Sequence, residues 1–280
     1  MTQIITDSMS DILPQEAQRL GVRVAPLQVR FGETSYDDGI DIEPAAFYQM
    51  LREAQELPKT NQVAPAVFES LFAQALSTGE SVLCITGSSR LSGTYQSAML
   101  ARQSVGGDRV FVVDSRSASL GEALLVYEAV HRSALGADAP SLAATLESLV
   151  ARQALVGQVA QLKYLVMGGR LPAVAGHVGA ALSLRPLLRM ADGRLEALGV
   201  CRGARKSMEW FAGQLRKMPP DSQYPLILAS ADERETLAAL RDYLRAEELL
   251  PDDTRTMDIG CVIGAHTGPG CLAMAWIPRE

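Results

Sequence analysis

Ser81-Val82-Leu83-Cys84-Ile85-Thr86-Gly87-Ser88-Ser89-Arg90-Leu91-Ser92-Gly93-Thr94-Tyr95-Gln96-Ser97-Ala98 is the stretch from which the rest of the chain can be read. Its first five residues are mostly apolar and β-prone, and a helical pattern runs over 95–104. That order predicts a buried parallel strand, a polar turn and a helix N-terminus. Unpaired N–H groups and the positive end of a helix dipole meet at such a junction. Here they come with the hydroxyls of Thr86, Ser88, Ser89, Ser92 and Thr94, a set suited to a carboxylate or a phosphate. Plain helix capping is the other reading of the same hydroxyls. The loop has no Lys after its second glycine and no G-x-S-x-G, and no dinucleotide fingerprint occurs in the chain. Nucleotide-loop and hydrolase-elbow chemistries are therefore disfavoured. The turn reads as a binding turn rather than a catalytic one.

Upstream, residues 3–6 form an apolar strand ending in Thr6-Asp7-Ser8; downstream, 109–113 form another ending in Asp114-Ser115. Helical patterns cover 14–20, 44–54, 65–76 and 120–134. Strands alternating with helices predict a parallel sheet covered by helices. Ligands in such sheets lie beyond the carboxyl ends of the strands, so the three polar groups are expected to face one crevice. Helix capping would explain Asp7 and Asp114 equally well. Residues 22–31 are β-rich, the acidic loop 37–41 is placed to cap helix 44–54, and 58–62 is a polar connector.

A turn at 135–140 and a helix over 141–152, capped by Ser141, put the division of the chain into 1–155 and 156–280. The second part opens with a short strand at 156–159 and a helix at 162–171 stopped by Gly168-Gly169. An apolar small-residue helix at 173–184 then ends before Pro186. A hairpin over 187–200 turns at Asp192-Gly193, followed by helix 204–218, strand 226–230 and helix 233–249. The chain closes with two strands, 257–263 and 272–277, joined by a glycine- and proline-rich loop with His266 at its tip. The fold class is α/β: a parallel-sheet N-terminal domain and an α/β C-terminal domain with an antiparallel element.

Hydrophobic content of 48% with 21% charged residues over 280 residues is that of a soluble globular protein. A net charge of −6 argues against a nucleic-acid partner. The four cysteines are far apart, as expected for buried thiols in a reducing compartment. His131, His177 and His266 show no metal-ligand spacing, so no metal and no cofactor are expected. The N-terminus lacks the plan of a signal peptide, and no uninterrupted apolar run reaches the roughly eighteen residues of a membrane span. The expected location is cytoplasmic, without an integral membrane segment and with at most transient membrane contact. Basic residues gather at Arg170, after the glycine pair, and at Arg202, Arg205 and Lys206 around the start of helix 204–218. Cations are unfavourable at a helix start, which hints at an external anion there.

Together these stretches resemble the DegV family of bacterial fatty-acid-binding proteins. The matching pieces in the first half are Thr6-Asp7-Ser8, Thr60 before a Gln and a helix, the run 88–98 and Val113-Asp114-Ser115. In the second half they are Gly168-Gly169-Arg170, Arg185-Pro186-Leu187-Leu188, the run 202–206 and the run 263–270. Asn61 stands where the family has Ser, and Arg185 where Lys is common. The resemblance implies a two-domain protein holding one long-chain fatty acid between its domains. It implies that Thr60, Ser92 and His266 contact the carboxylate. It also implies presentation of the acid to a separate fatty acid kinase, which makes acyl phosphate for phospholipid synthesis, with Arg170 and Arg202 on the kinase-facing side. The protein itself would be a carrier without catalytic residues. Read from the residues alone, two alternatives stand beside it: an enzyme using His266 as general base, and a binder of another amphipathic carboxylate or phosphate. Ser97, a turn into the helix, is expected to serve the helix only.

Overall fold

Val82, Leu83, Cys84 and Ile85 are fully buried, as suits a strand flanked by neighbours and covered on both faces. In the computed structural model, which describes residues 1–172 and 184–280, they lie in the centre of a parallel sheet. The first part of the chain runs β1 (Thr2–Asp7), α1 (Pro14–Leu20), β2 (Arg23–Ala25), β3 (Gln28–Phe31), β4 (Thr34–Asp37) and α2 (Pro44–Glu53). It continues with β5 (Lys59–Asn61), α3 (Pro65–Ser77), β6 (Ser81–Thr86), α4 (Thr94–Ser104), β7 (Val110–Asp114), α5 (Leu120–Ala134) and α6 (Ala139–Val150). Then follow β8 (Ala154–Gln158), α7 (Lys163–Met167), β9 (Leu184–Ala191), β10 (Arg194–Arg202), α8 (Ala204–Lys217) and β11 (Ile227–Ser230). The last elements are α9 (Arg234–Ala246), β12 (Arg255–Asp258), α10 (Cys261–Thr267) and β13 (Leu272–Trp276).

Three sheets organise these elements. The first has the order β2-β1-β6-β7, every pair parallel. The second, β10-β9-β8-β13-β11-β12, is antiparallel except for the β11–β12 pair. A small antiparallel sheet, β4-β3-β5, takes up residues 59–61 of the expected polar connector. The division expected between residues 155 and 156 falls inside β8.

One hydrophobic cluster runs through both parts of the chain, joining Ile5, Leu83 and Phe47 to Leu165, Ile259 and Val262. A second cluster packs α8 and α9 on the other face of the six-stranded sheet, with Phe211, Leu215, Leu240 and Trp276 fully or almost fully buried. The Trp276 indole N–H donates to the Met218 carbonyl at 2.8 Å, so its polar edge is satisfied.

Several expectations change. The helix expected at 141–152 starts at Ala139, because Asp138, not Ser141, is the N-cap and accepts from the Ser141 N–H. The helix expected at 162–171 spans only Lys163–Met167. Residues 259–263 are not a strand and 264–267 are not a loop: Cys261–Thr267 is helical. The acidic loop does not cap α2, whose N-cap residue Glu43 makes no side-chain cap bond. The expected helix at 173–184 lies outside the described residues except for Leu184, which opens β9. The hairpin forms as expected, with Asp192 and Gly193 at φ 45° and 76°, the two positive values that an Asp-Gly hairpin turn requires.

Candidate functional site

A cavity of about 340 Å³ lies between the hydroxyl turn, β5, α10 and the inner strands of the six-stranded sheet. Met9, Leu27, Leu155, Leu188, Ile259 and Val262 are among its apolar walls. Thr60, Gln62, Ser92, Arg170 and His266 are among its polar lining residues, and each is held by a contact nearby. Thr60 Oγ1 lies 2.9 Å from His266 Nε2. Ser92 Oγ lies 2.9 Å from Thr94 Oγ1. The Arg170 guanidinium donates to the Leu91 carbonyl at 3.1 Å and to the Gly168 carbonyl at 2.6 Å. A Cβ on Gly93 would come within 2.0 Å of Gln62 Oε1, so the carboxamide of Gln62 rests against the turn. Gly168 is required in a similar way: a Cβ there would come within 2.3 Å of His266 Nδ1.

The structure thus brings Thr60, Ser92, His266 and Arg170 to one cavity. Arg202 ends β10 as an exposed residue and is not among the cavity's walls. The five hydroxyls of the turn separate by role. Ser92 reaches the cavity, while Ser88 Oγ donates to the Gly193 carbonyl at 2.7 Å. Thr86 Oγ1 is buried without a hydrogen-bond partner among the described residues. Asp7 accepts from the N–H groups of Met9 and Gly87, each at 2.9 Å, and Asp114 accepts from those of Ser89 and Arg116. Both aspartates tie loops together, and it is the residues just after them, Met9, Ala118 and Ser119, that line the cavity.

Burial, reinforced by the nearby Arg170 charge, lowers the His266 pKa to about 4. The ring is therefore neutral at physiological pH. Its Nδ1 is buried and has no hydrogen-bond partner among the described residues. Burial also lowers the Arg170 pKa, though not enough to remove its charge.

Sequence reasoning missed three contributors. Gln62 donates to Ser97 Oγ at 3.0 Å, so Ser97 supports a cavity residue and does not serve the helix alone. Ser119 lines the cavity at φ 54°, ψ −127°, with its hydroxyl donating to Asp11. Asp38 accepts from two N–H groups of α10, 223 and 224 residues away. Ser119 had a local signal, as a Ser directly before a helix; Gln62 follows Thr60 in a stretch that carries the resemblance, and Asp38 lies in the acidic loop. The pairings of Gln62 and Asp38 are ones no local pattern carries.

A family model described as uncharacterised protein, DegV family, matches residues 1–279. The chain belongs to the DegV family. A DegV domain-containing protein of Caldanaerobacter subterraneus is 34% identical over 267 residues, 95% of each chain. Among solved structures, one described as fatty acid binding of a DegV family protein from Thermus thermophilus superposes with a TM-score of 0.90 at 33% identity, covering 99% of both chains. A stearic-acid-binding protein from Eubacterium ventriosum matches with a TM-score of 0.88 at 26% identity, over 99% of this chain and 98% of that one. The DegV fold of this chain is thereby shared along its whole length with proteins described as binding fatty acids. No described helix is long and apolar enough to cross a membrane, and the described residues hold no group of three or more His, Cys, Asp or Glu suited to a metal.

Proposed function

We propose that this protein binds one long-chain fatty acid in the cavity, with the carboxylate at Thr60, Ser92 and His266 and the acyl chain along the apolar walls. The observation that carries the reading is a cavity of about 340 Å³ whose walls are largely apolar and on whose lining Thr60 Oγ1 and His266 Nε2 meet at 2.9 Å. Ligand pockets in folded proteins have this size and composition. Each buried CH2 of an acyl chain contributes about 0.8 kcal/mol of gross driving force. The head group, removed from water, needs hydrogen bonds, and charge-assisted ones contribute about 1.5–3 kcal/mol each. With the proton on Nε2, His266 donates to Thr60 Oγ1, which leaves the Thr60 hydroxyl hydrogen to point at a carboxylate.

The neutrality of the His266 ring weighs against an enzyme built on it as general base. A base with a pKa of about 4 is poorly matched to chemistry near pH 7. The carrier reading extends to a separate kinase that phosphorylates the bound acid. Arg170 on the cavity wall and Arg202 at the end of β10 are the residues we assign to that encounter, as guanidinium groups suit phosphate or acidic side chains. The test titrates delipidated protein with stearate by calorimetry and then adds the cognate kinase and ATP. Arg170→Ala and Arg202→Ala are expected to bind stearate and to lose kinase-dependent phosphorylation. Full phosphorylation by both variants contradicts the assignment, and turnover without a kinase contradicts the carrier reading.

A further inference from the structure

Helix α10 begins at Gly260-Cys261 with no side-chain cap of its own, and its first N–H groups are nevertheless satisfied. Asp11 Oδ1 accepts from Gly260 N at 2.9 Å, Asp38 Oδ1 from Cys261 N at 3.3 Å and Asp38 Oδ2 from Val262 N at 3.3 Å. Both carboxyls come from the far end of the sequence and are only 4% and 5% exposed. The remaining faces of the helix start are fixed by the same part of the chain. Tyr48 Oη donates to the Ile259 carbonyl at 3.1 Å, and a Cβ on Gly264 would come within 2.5 Å of that hydroxyl. One and a half turns on, the helix delivers Ile263, His266 and Thr267 to the cavity.

We propose that Asp38, assisted by Asp11, is a positioning residue for the head-group site: the two carboxyls seat the start of α10 and so bring His266 to Thr60. The assignment rests on the fatty-acid reading of the cavity and names a part of it outside the cavity's polar set. Physically, a seven-residue helix is too short to hold its own direction in water. Its unpaired N–H groups carry partial positive charge, and a carboxylate placed on them fixes both the position and the axis. Burial raises the carboxyls of Asp38 and Asp11, and the α10 N–H groups pull both back towards ionisation. The buried groups that raise the Asp11 carboxyl through charge are Asp38 and Asp7.

The test is Asp38→Asn, which keeps the shape and leaves an amide N–H opposed to a backbone N–H. Affinity for stearate is expected to fall on the order of tenfold, while affinity for the alcohol of the same chain length stays within about twofold, since the seat serves the head group. In a His266→Ala background Asp38→Asn is expected to cost nothing further, the signature of two residues acting through one contact. Equal losses for acid and alcohol, or a full loss in the His266→Ala background, overturn the proposal. If Asp38→Asn does not fold, Asp38→Ser and the exchange protection of the Cys261 and Val262 amides in the wild-type protein decide instead; unprotected amides overturn it. Imidazole NMR of the ligand-free protein separates this question from the fatty-acid reading. His266 is expected to stay neutral down to about pH 4 in the wild type and to titrate higher in Asp38→Asn, whether or not stearate binds. An unchanged titration overturns the seat, whereas absent stearate binding by the wild type overturns only the ligand.

Discussion

Replacing Ser92 by alanine removes the one hydroxyl of the turn that reaches the cavity, together with its contact to Thr94. Fatty-acid binding is expected to weaken by about 1–3 kcal/mol with folding retained; calorimetry with an unchanged affinity would place Ser92 in a structural role. Ser148→Ala is the matching control, because that exposed hydroxyl only returns to the Thr145 carbonyl of its own helix. In the folded chain Asp7 has a pKa of about 7 in place of 3.8, chiefly through burial. Between those values the folded form keeps a proton that the unfolded form has lost, so this contribution to stability falls as pH rises through the window. His266, at about 4 in place of 6.5, acts with the opposite sign, its contribution rising with pH between those values. Asp7→Asn is therefore expected to gain in melting temperature relative to the wild type as pH goes from 4 to 7. A constant difference across that range would contradict a raised Asp7. The turn was legible as a candidate binding turn because five hydroxyls crowd one strand–helix junction, while Ser92 was singled out within it by resemblance. Thr60 and His266 were placed by resemblance, and their contact across 206 residues is invisible to any local pattern.

At the scale of elements, the β9–β10 hairpin forms cavity wall through Leu188, Met190 and Leu195 and is held at its tip. Asp192 pairs with Arg90 at 3.0 Å and with Arg116, and Ser88 donates to Gly193. Exposed ion pairs contribute little to stability on their own, so Asp192→Ala is expected to leave the melting temperature within a few degrees. It should accelerate release of a bound fluorescent fatty acid in stopped-flow measurements, and high salt should do the same to the wild type. Release unaffected by either change would show that the tip is not a fastening. The hairpin was legible in Asp192-Gly193 because that pair adopts the turn with little strain. Helix α10 was not. Its Val262-Ile263 and the glycines after it suggest strand and loop by propensity, and buried carboxyls from residues 11 and 38 decide for a helix instead. The acidic loop at 37–41 was expected to cap α2 and does not; its Asp38 accepts from the start of α10 instead, a partner that no sequence neighbour could indicate.

For the molecule as a whole, β–α alternation made the parallel sheet legible, and the Asp192-Gly193 hairpin made the antiparallel element of the second sheet legible. The cavity was not legible, because its walls combine β5, the hydroxyl turn, α10 and the six-stranded sheet, all distant in sequence. What such a cavity carries can be read directly. Protein purified from bacteria under native conditions should be extracted and its lipid identified by mass spectrometry, with the protein quantified in parallel. A saturated or monounsaturated long-chain fatty acid at about one per chain, the stoichiometry of a single ligand-sized cavity, is the result expected. An extract without acyl species, together with no uptake of added fatty acid, would contradict the account.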